Sequence, residues 1–241
     1  MRKQTAVVEI LLLKMVLKKY EIHVKSIEDF NENIRIVKFR FDISSFDILP
    51  GGFVMLWKEG YLDERGILIK RAYSVASSVE NKNYLEICFK IEESGRFSKI
   101  VKELKKGDKL NMQGPFNGHF ILKKEHDPYF VVAGTGIAPI MSMLRSNDKL
   151  ETTLIYGIKT DKDYIYKKEL ESFQKIKKII CVSRQDDTSY NKGRITKQIL
   201  KDNLTNTYKD VFICGPNEMI TQTIKNLKEL GFNKIHVDKW S

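Results

Sequence analysis

At 241 residues the chain is long enough for one large domain or two ordinary ones, and 42% hydrophobic and 10% aromatic residues exclude wholesale disorder. Its net charge of +11 fits a well-solvated surface, an acidic or phosphorylated partner, or nucleic acid. The lysines are dispersed (Lys102, Lys105, Lys106 and Lys109; Lys175, Lys177 and Lys178) without the interleaved aromatics of an RNA-binding sheet, so no nucleic-acid partner is expected.

Residues 1–19 read as an N-terminal extension. Its apolar run over 7–17 is broken by Glu9 and Lys14, lacks a small-residue cleavage site, and is too short and too charged to span a bilayer. A short extra helix, a surface anchor, and an upstream extension with initiation at Met15 all fit it; the first and last fit better.

From residue 20 to 125 the rhythm is that of short strands: 21–27, 34–41, 53–57, 67–75 and 84–91, separated by turn signals such as Leu49-Pro50-Gly51-Gly52. One helix interrupts them, with Phe97, Ile100, Val101 and Leu104 on one face behind Gly95. Strands at 109–113 and 116–122 complete what reads as a small antiparallel barrel. After the linker-like Glu125-His126-Asp127-Pro128 the rhythm changes. Continuous apolar strands at 129–133, 152–157, 179–182, 211–214 and 235–237 alternate with helical periods at 137–144, 166–173, 195–200 and 218–230. That alternation predicts a doubly wound parallel sheet over residues 126–241, with ligands at the carboxyl ends of its strands.

Three motifs at strand edges carry chemistry. Arg71-Ala72-Tyr73-Ser74 offers a cation, an aromatic face and a hydroxyl within one extended turn. Gly134-Thr135-Gly136-Ile137-Ala138-Pro139 is a tight turn opening a helix, where backbone can approach a phosphate and the helix end supplies free amides. Pro139 occupies the position of a third glycine, so the full dinucleotide fingerprint is not met, and a simple structural turn remains an alternative. Gly95-Arg96-Phe97-Ser98 repeats the arrangement in the barrel half; read alone, it is an ordinary helix start. Cys88, Cys181 and Cys214 are scattered in apolar contexts, which suits a reducing, cytoplasmic compartment and offers no metal or iron–sulfur spacing.

In this order the motifs resemble the ferredoxin–NADP+ reductase superfamily. The residues that carry the resemblance are Arg71-x-Tyr73-Ser74, Gly95-x-x-Ser98, Gly114-Pro115-Phe116-x-Gly118-x-Phe120, Gly134 to Pro139, and Cys214-Gly215-Pro216. It covers residues 20–241 and implies an FAD-binding barrel followed by an NAD(P)-binding sheet. By the same resemblance Arg71 pairs with the FAD diphosphate, Tyr73 packs on the isoalloxazine and Ser74 reaches flavin N5. Gly95, Arg96 and Ser98 hold the diphosphate from the helix end. Gly134, Thr135, Gly136 and Pro139 bind the nicotinamide nucleotide with Gly215 and Pro216, and Cys214 lies beside the nicotinamide carbon. A small buried strand residue is the alternative for Cys214.

The tail His236-Val237-Asp238-Lys239-Trp240-Ser241 resembles the carboxylate-x-aromatic ending of plant-type members, with Asp in place of Glu and one extra residue. The resemblance implies that Trp240 covers the isoalloxazine and Asp238 supports proton movement; a core-packing Trp240 is the alternative. Ser183-Arg184 and Lys192-Gly193-Arg194 resemble a 2′-phosphate site and lean to NADPH, while Asp186 and Asp187 keep NADH open. The expected activity is an FAD-dependent NAD(P)H reductase delivering electrons to a small acidic iron–sulfur carrier such as ferredoxin. Alternatives are a cytochrome or flavin reductase, an electron-transfer subunit of an oxygenase, and, outside enzymes, a ligand-sensing or nucleic-acid-binding module.

Overall fold

The computed structural model describes residues 18–239 apart from Ser45 and Glu125. The extension over 1–17, and with it the three readings of that segment, lies outside the described residues, as does Trp240.

Six antiparallel strands build the first sheet: β1 (Lys18–Asn31), β2 (Ile34–Arg40), β3 (Phe53–Trp57), β4 (Arg71–Ser74), β5 (Leu85–Lys90) and β6 (Lys109–Phe116), in the order β4-β3-β6-β1-β2-β5. A bridge between Val75 and Ile87, reinforced by Ala76 N–H donating to the Glu86 carbonyl at 2.8 Å, brings the two edges together into a nearly closed barrel. Alternation puts Ile22, Val24, Val37, Phe39, Val54, Leu56, Ile87, Phe89, Leu110 and Met112 inside. Helix α1 (Arg96–Glu103) adds Phe97, Ile100 and Val101 to the same core.

The second sheet is wholly parallel: β7 (Tyr129–Ala133), β8 (Thr152–Ile158), β9 (Ile176–Val182), β10 (Asn191–Lys192), β11 (Val211–Gly215) and β12 (Ile235–Lys239), ordered β10-β9-β8-β7-β11-β12. The order reverses between β7 and β11, which opens a crevice at their carboxyl ends. Helices α2 (Ile137–Arg145) and α3 (Lys167–Ser172) pack on one face, with Ile140, Leu144 and Leu170 against Phe130, Leu154 and Phe212. Helices α4 (Lys197–Asn203) and α5 (Asn217–Glu229) pack on the other, with Leu200, Ile220 and Leu227 against Val131, Ile155 and Ile213.

Barrel residues Ile34, Ile36, Ala76, Cys88, Phe120 and Leu122 belong to the same core as α2. The helix is therefore covered on all sides, and its sequence IAPIMSML is buried throughout, as expected for a helix apolar all round. Strand β5 is likewise buried on both faces: Leu85, Ile87 and Phe89 point into the barrel while Cys88 points into the shared core.

Strand β1 runs over Lys18–Asn31 rather than 21–27, β9 begins at Ile176 rather than 179, and β10 is a further short strand; three other departures from the sequence expectations have a visible cause. The strand expected over 116–122 is absent beyond Phe116. Its polar groups instead tie back to the 47–50 turn: the Asn117 carboxamide bonds Leu49 N–H and the Asp47 carbonyl, each at 2.9 Å, and Leu122 N–H donates to the Pro50 carbonyl. The strand expected over 67–75 is shortened to β4, because Asp63 caps the turn before it by accepting from the N–H groups of Arg65 and Ile67. The helix expected over 195–200 starts at Lys197, where the Thr196 hydroxyl accepts from Ile199 N–H.

Candidate active site

Strand β4 and the start of α1 lie side by side. The Tyr73 ring meets Phe89 edge-on at 4.6 Å and tilts against Phe97 at 5.6 Å, which pins a half-buried aromatic whose burial raises its phenol above the ordinary value. Arg71 is exposed and donates one bond, to the Lys70 carbonyl at 2.8 Å; a guanidinium carries further donors for a phosphate.

Gly95 precedes α1 because an added Cβ would stand 2.4 Å from Ser98 Oγ. That hydroxyl is buried and accepts from Glu92 N–H at 3.0 Å, so it braces the turn and keeps its own proton to donate. Among the described residues no side chain caps the first turn of α1; Ser98 N–H donates to the Gly95 carbonyl, which leaves the Arg96 and Phe97 amides for an anion. Arg96 reaches Asp63 at 3.2 Å, and a cavity of about 330 Å³ lined by Tyr61, Asp63, Ser94, Arg96 and Lys99 adjoins this helix start. Exposed guanidinium, half-buried ring, uncapped helix start and adjacent cavity together fit a flavin dinucleotide.

The crevice of the parallel sheet is floored by backbone. Gly134 has φ +55, and a Cβ there would meet none of the described residues within 4 Å, so among them the space above the turn is open. Gly136 is different: its Cβ would lie 2.3 Å from the Cys214 carbonyl oxygen. Gly215, with φ +153, crowds Ala133 N and the Met219 methyl in the same way. The Tyr156 hydroxyl donates to the Gly134 carbonyl at 2.9 Å, a brace that no sequence motif announces. Thr135 is buried in this turn and Pro139 is buried in α2, and among the described residues neither α2 nor α5, the latter starting after Pro216, has a side-chain cap.

At the cleft, Ser74 of the barrel meets Cys214 and Asp238 of the parallel sheet. Ser74 Oγ donates to Asp238 Oδ2 at 3.1 Å, and Cys214 Sγ lies 3.9 Å from the same oxygen. Cys214 and Asp238 are register partners on β11 and β12. Burial, and then the neighbouring carboxylate, hold the Cys214 thiol well above its ordinary pKa. Asp238 also borders a small cavity with Gly51, Phe53, Gly118, His119 and Phe120. His119 Nε2 bonds the Val237 carbonyl at 3.0 Å, a contact between barrel and tail that sequence reading missed because a lone His in a loop carries no pattern.

The expected 2′-phosphate group is less converged. Ser183 follows β9 and donates its hydroxyl to the Ile158 carbonyl at 3.1 Å, Arg184 is exposed, and Arg194 is paired with Glu218 at 2.9 Å. Lys192 is exposed on β10. Among the described residues no group of three or more His, Cys, Asp or Glu side chains could hold a metal.

Residues 21–121 match the family model for an oxidoreductase FAD-binding domain, and residues 130–225 that for an oxidoreductase NAD-binding domain. The chain belongs to the ferredoxin–NADP+ reductase superfamily. As a member of it, the protein is an FAD-containing NAD(P)H reductase. It is similar to NADH-cytochrome b5 reductase 2 of Yarrowia lipolytica, 27% identical over 254 residues covering 91% of this chain and 85% of the relative. It is also similar to NADH-cytochrome b5 reductase 2 of Danio rerio, at 25% identity over 91% of this chain and 83% of the relative. Among solved structures, a ferredoxin NADP+ reductase from Neisseria gonorrhoeae with bound FAD and NADP superimposes with a TM-score of 0.80 at 20% identity, over 92% of this chain and 98% of that one. The cytochrome b5 reductase domain of Ulva prolifera nitrate reductase gives 0.77 at 21% identity, over 92% and 97%. These structural likenesses bear on the fold of the superfamily member, which has the same barrel and parallel sheet.

Proposed function

We propose that this reductase takes hydride from NADH and passes electrons singly to a haem protein of the cytochrome b5 type, with a small iron–sulfur carrier as the second choice. The observation that carries the hydride half is the meeting of Ser74, Asp238 and Cys214 across the cleft. The acceptor half rests on the relatives, several of which are NADH-cytochrome b5 reductases. This favours the cytochrome alternative over the ferredoxin first expected from the motifs.

Bound FAD would supply the conversion of a two-electron hydride into single electrons. The chain's own residues do the rest. Arg71, the amides opening α1 and the Ser98 hydroxyl would hold the diphosphate, and Tyr73 would support the ring. Gly134, Gly136 and Gly215 let backbone approach the nicotinamide nucleotide. With FAD bound, Ser74 Oγ would turn its one proton from Asp238 to the reacting edge of the flavin, and Asp238 would remain beside it as an acceptor. The neutral Cys214 thiol would pack beside the nicotinamide and exclude water, with no acid–base part.

NADH is favoured over the NADPH first expected, for two reasons. Ser183 spends its one donor on a backbone carbonyl, and Glu218 both neutralises Arg194 and would repel a 2′-phosphate. Three scattered, buried thiols support a cytoplasmic setting. Among the described residues no helix is long and apolar enough to cross a membrane.

Anaerobic reduction by NADH and by NADPH, followed by mixing with oxidised cytochrome b5 or ferredoxin, tests the whole reading. Expected is a kcat/KM for NADH at least about tenfold above that for NADPH, a gap that the loss of one charge-assisted contact can produce, and faster reduction of the cytochrome. Equal use of NADPH, or reduction of ferredoxin alone, would overturn the respective half.

A further inference from the structure

Helix α2 begins at the nucleotide turn and ends on the barrel. Its last residue, Arg145, is mostly buried, with 16% of its side chain exposed. Arg145 Nη1 donates to the Ala76 carbonyl and to Glu86 Oε1, both at 2.7 Å. Its Nε and Nη2 donate to the two carboxylate oxygens of Glu169 at 2.7 and 2.6 Å. Glu86 is almost fully buried and also accepts from the Tyr166 hydroxyl at 2.8 Å, with Lys38 further off at 3.7 Å. The guanidinium lies over the Tyr166 ring, 4.8 Å from its centre. Tyr166 itself stands at φ 60 and ψ 21, the one left-handed non-glycine residue among those described. A side chain that holds its backbone in a sparsely populated region does so because its surroundings fix it there.

This knot joins three elements that carry the proposed site. Ala76 lies two residues beyond Ser74 on the same extended segment. Glu86 is on β5, whose carbonyl receives Ala76 N–H. The far end of α2, about 13 Å away along a nine-residue helix, is the turn where Gly136 touches Cys214. A buried ion pair is weak evidence for stability, but the forked, two-sided geometry of this one fixes orientation.

We propose that Arg145 is a positioning residue for hydride transfer: by gripping Ala76 and Glu86 of the barrel and Glu169 of the sheet domain, it sets where the nicotinamide turn stands relative to Ser74. The inference rests on the site assignment made above. Arg145 touches neither cofactor nor substrate. It acts through α2 and through the Ser74–Ala76 segment.

The test compares the full-length, FAD-loaded wild type with Arg145→Lys, which keeps the charge and loses the fork, and with Glu86→Gln, which keeps an acceptor for both partners. Anaerobic stopped-flow mixing with NADH, with rates normalised to bound FAD, should show saturating hydride transfer in Arg145→Lys lowered about tenfold or more, since small misplacement of reacting groups is costly. The NADH concentration for half-saturation should move less than about threefold, because the nucleotide's own contacts are untouched, and Glu86→Gln should retain most of the rate. A purely structural role would lower melting temperature and FAD content and leave the normalised rate alone. Hydrogen exchange of the FAD-free proteins gives a readout apart from activity: segments 74–79 and 137–146 should lose protection together in Arg145→Lys. A normalised rate within about twofold of wild type, or unchanged exchange in both segments, would overturn the positioning role. A wild type that neither nucleotide reduces would instead overturn the site assignment, a result visible before any variant is made.

Discussion

The Ser74 hydroxyl donates to Asp238 at 3.1 Å, joining residues 164 positions apart in the chain. Ser74 ends the edge strand of the barrel, and Asp238 lies on the edge strand of the parallel sheet beside Cys214. A single hydrogen bond therefore reports whether the two halves stand in the arrangement that the proposed hydride path needs.

Removing that hydroxyl should slow the chemistry more than it harms the fold. Ser74→Ala is expected to lower the rate of flavin reduction by NADH about 100-fold, the lower end of what a positioned proton-holding group contributes. FAD content should stay near that of the wild type. Asp238→Asn keeps an acceptor for Ser74 and should lose less. Anaerobic stopped-flow bleaching of the flavin measures both, and a Ser74→Ala rate equal to the wild type would remove Ser74 from the mechanism.

Gly134 and Gly136 sit two residues apart, yet they should respond differently to alanine. At Gly136 the new Cβ would meet the Cys214 carbonyl oxygen at 2.3 Å, and backbone is what must move. Overpacking of this kind costs about 1–3 kcal/mol or more. At Gly134 no described residue lies within 4 Å of the new Cβ, so the left-handed φ sets the penalty, about 1–2 kcal/mol. Thermal unfolding should rank Gly136→Ala as the less stable variant, and the reverse order would mean that the crevice floor is not as close-packed as described.

All three cysteines are buried, and burial raises each thiol: Cys181 to about 11, and Cys88 and Cys214 further. The folded state therefore keeps protons that the unfolded chain releases. Stability is fully present below the ordinary thiol value of 9.0 and falls as pH rises above it; for Cys181 the fall ends near pH 11. Each such thiol contributes a slope of up to about 1.4 kcal/mol per pH unit in its window. Urea unfolding from neutral to alkaline pH should show Cys181→Ala losing part of this slope between those two values. An unchanged slope would place the thiol in contact with water.

The net charge of +11 should favour collision with an acidic carrier. Reduction of cytochrome b5 is expected to slow several-fold between about 0.01 and 0.15 M salt, as the screening length contracts from about 30 to 8 Å. Flavin reduction by NADH should change far less. A salt-independent second half-reaction would argue against steering by the basic surface.

The local sequence determined much of this protein. Strand-forming alternation before residue 125, strand–helix alternation after it, and five short motifs were enough for a barrel followed by a parallel sheet and for the family. These features are local in sequence, set by residue period and by turn chemistry, so they can be read without a partner. Beyond Phe116 the reading failed because the hydrogen-bond partners of 117–122 lie about 70 residues upstream, in the 47–50 turn, where no periodicity reveals them. Only the tertiary structure decided that Ser74, Cys214 and Asp238 meet, that Gly136 is demanded by the Cys214 carbonyl, and that Arg145 ties α2 to Ala76 and Glu86. Each of these is a contact between residues far apart in the chain. Strand order and domain packing create such contacts, and no spacing within a single segment encodes them.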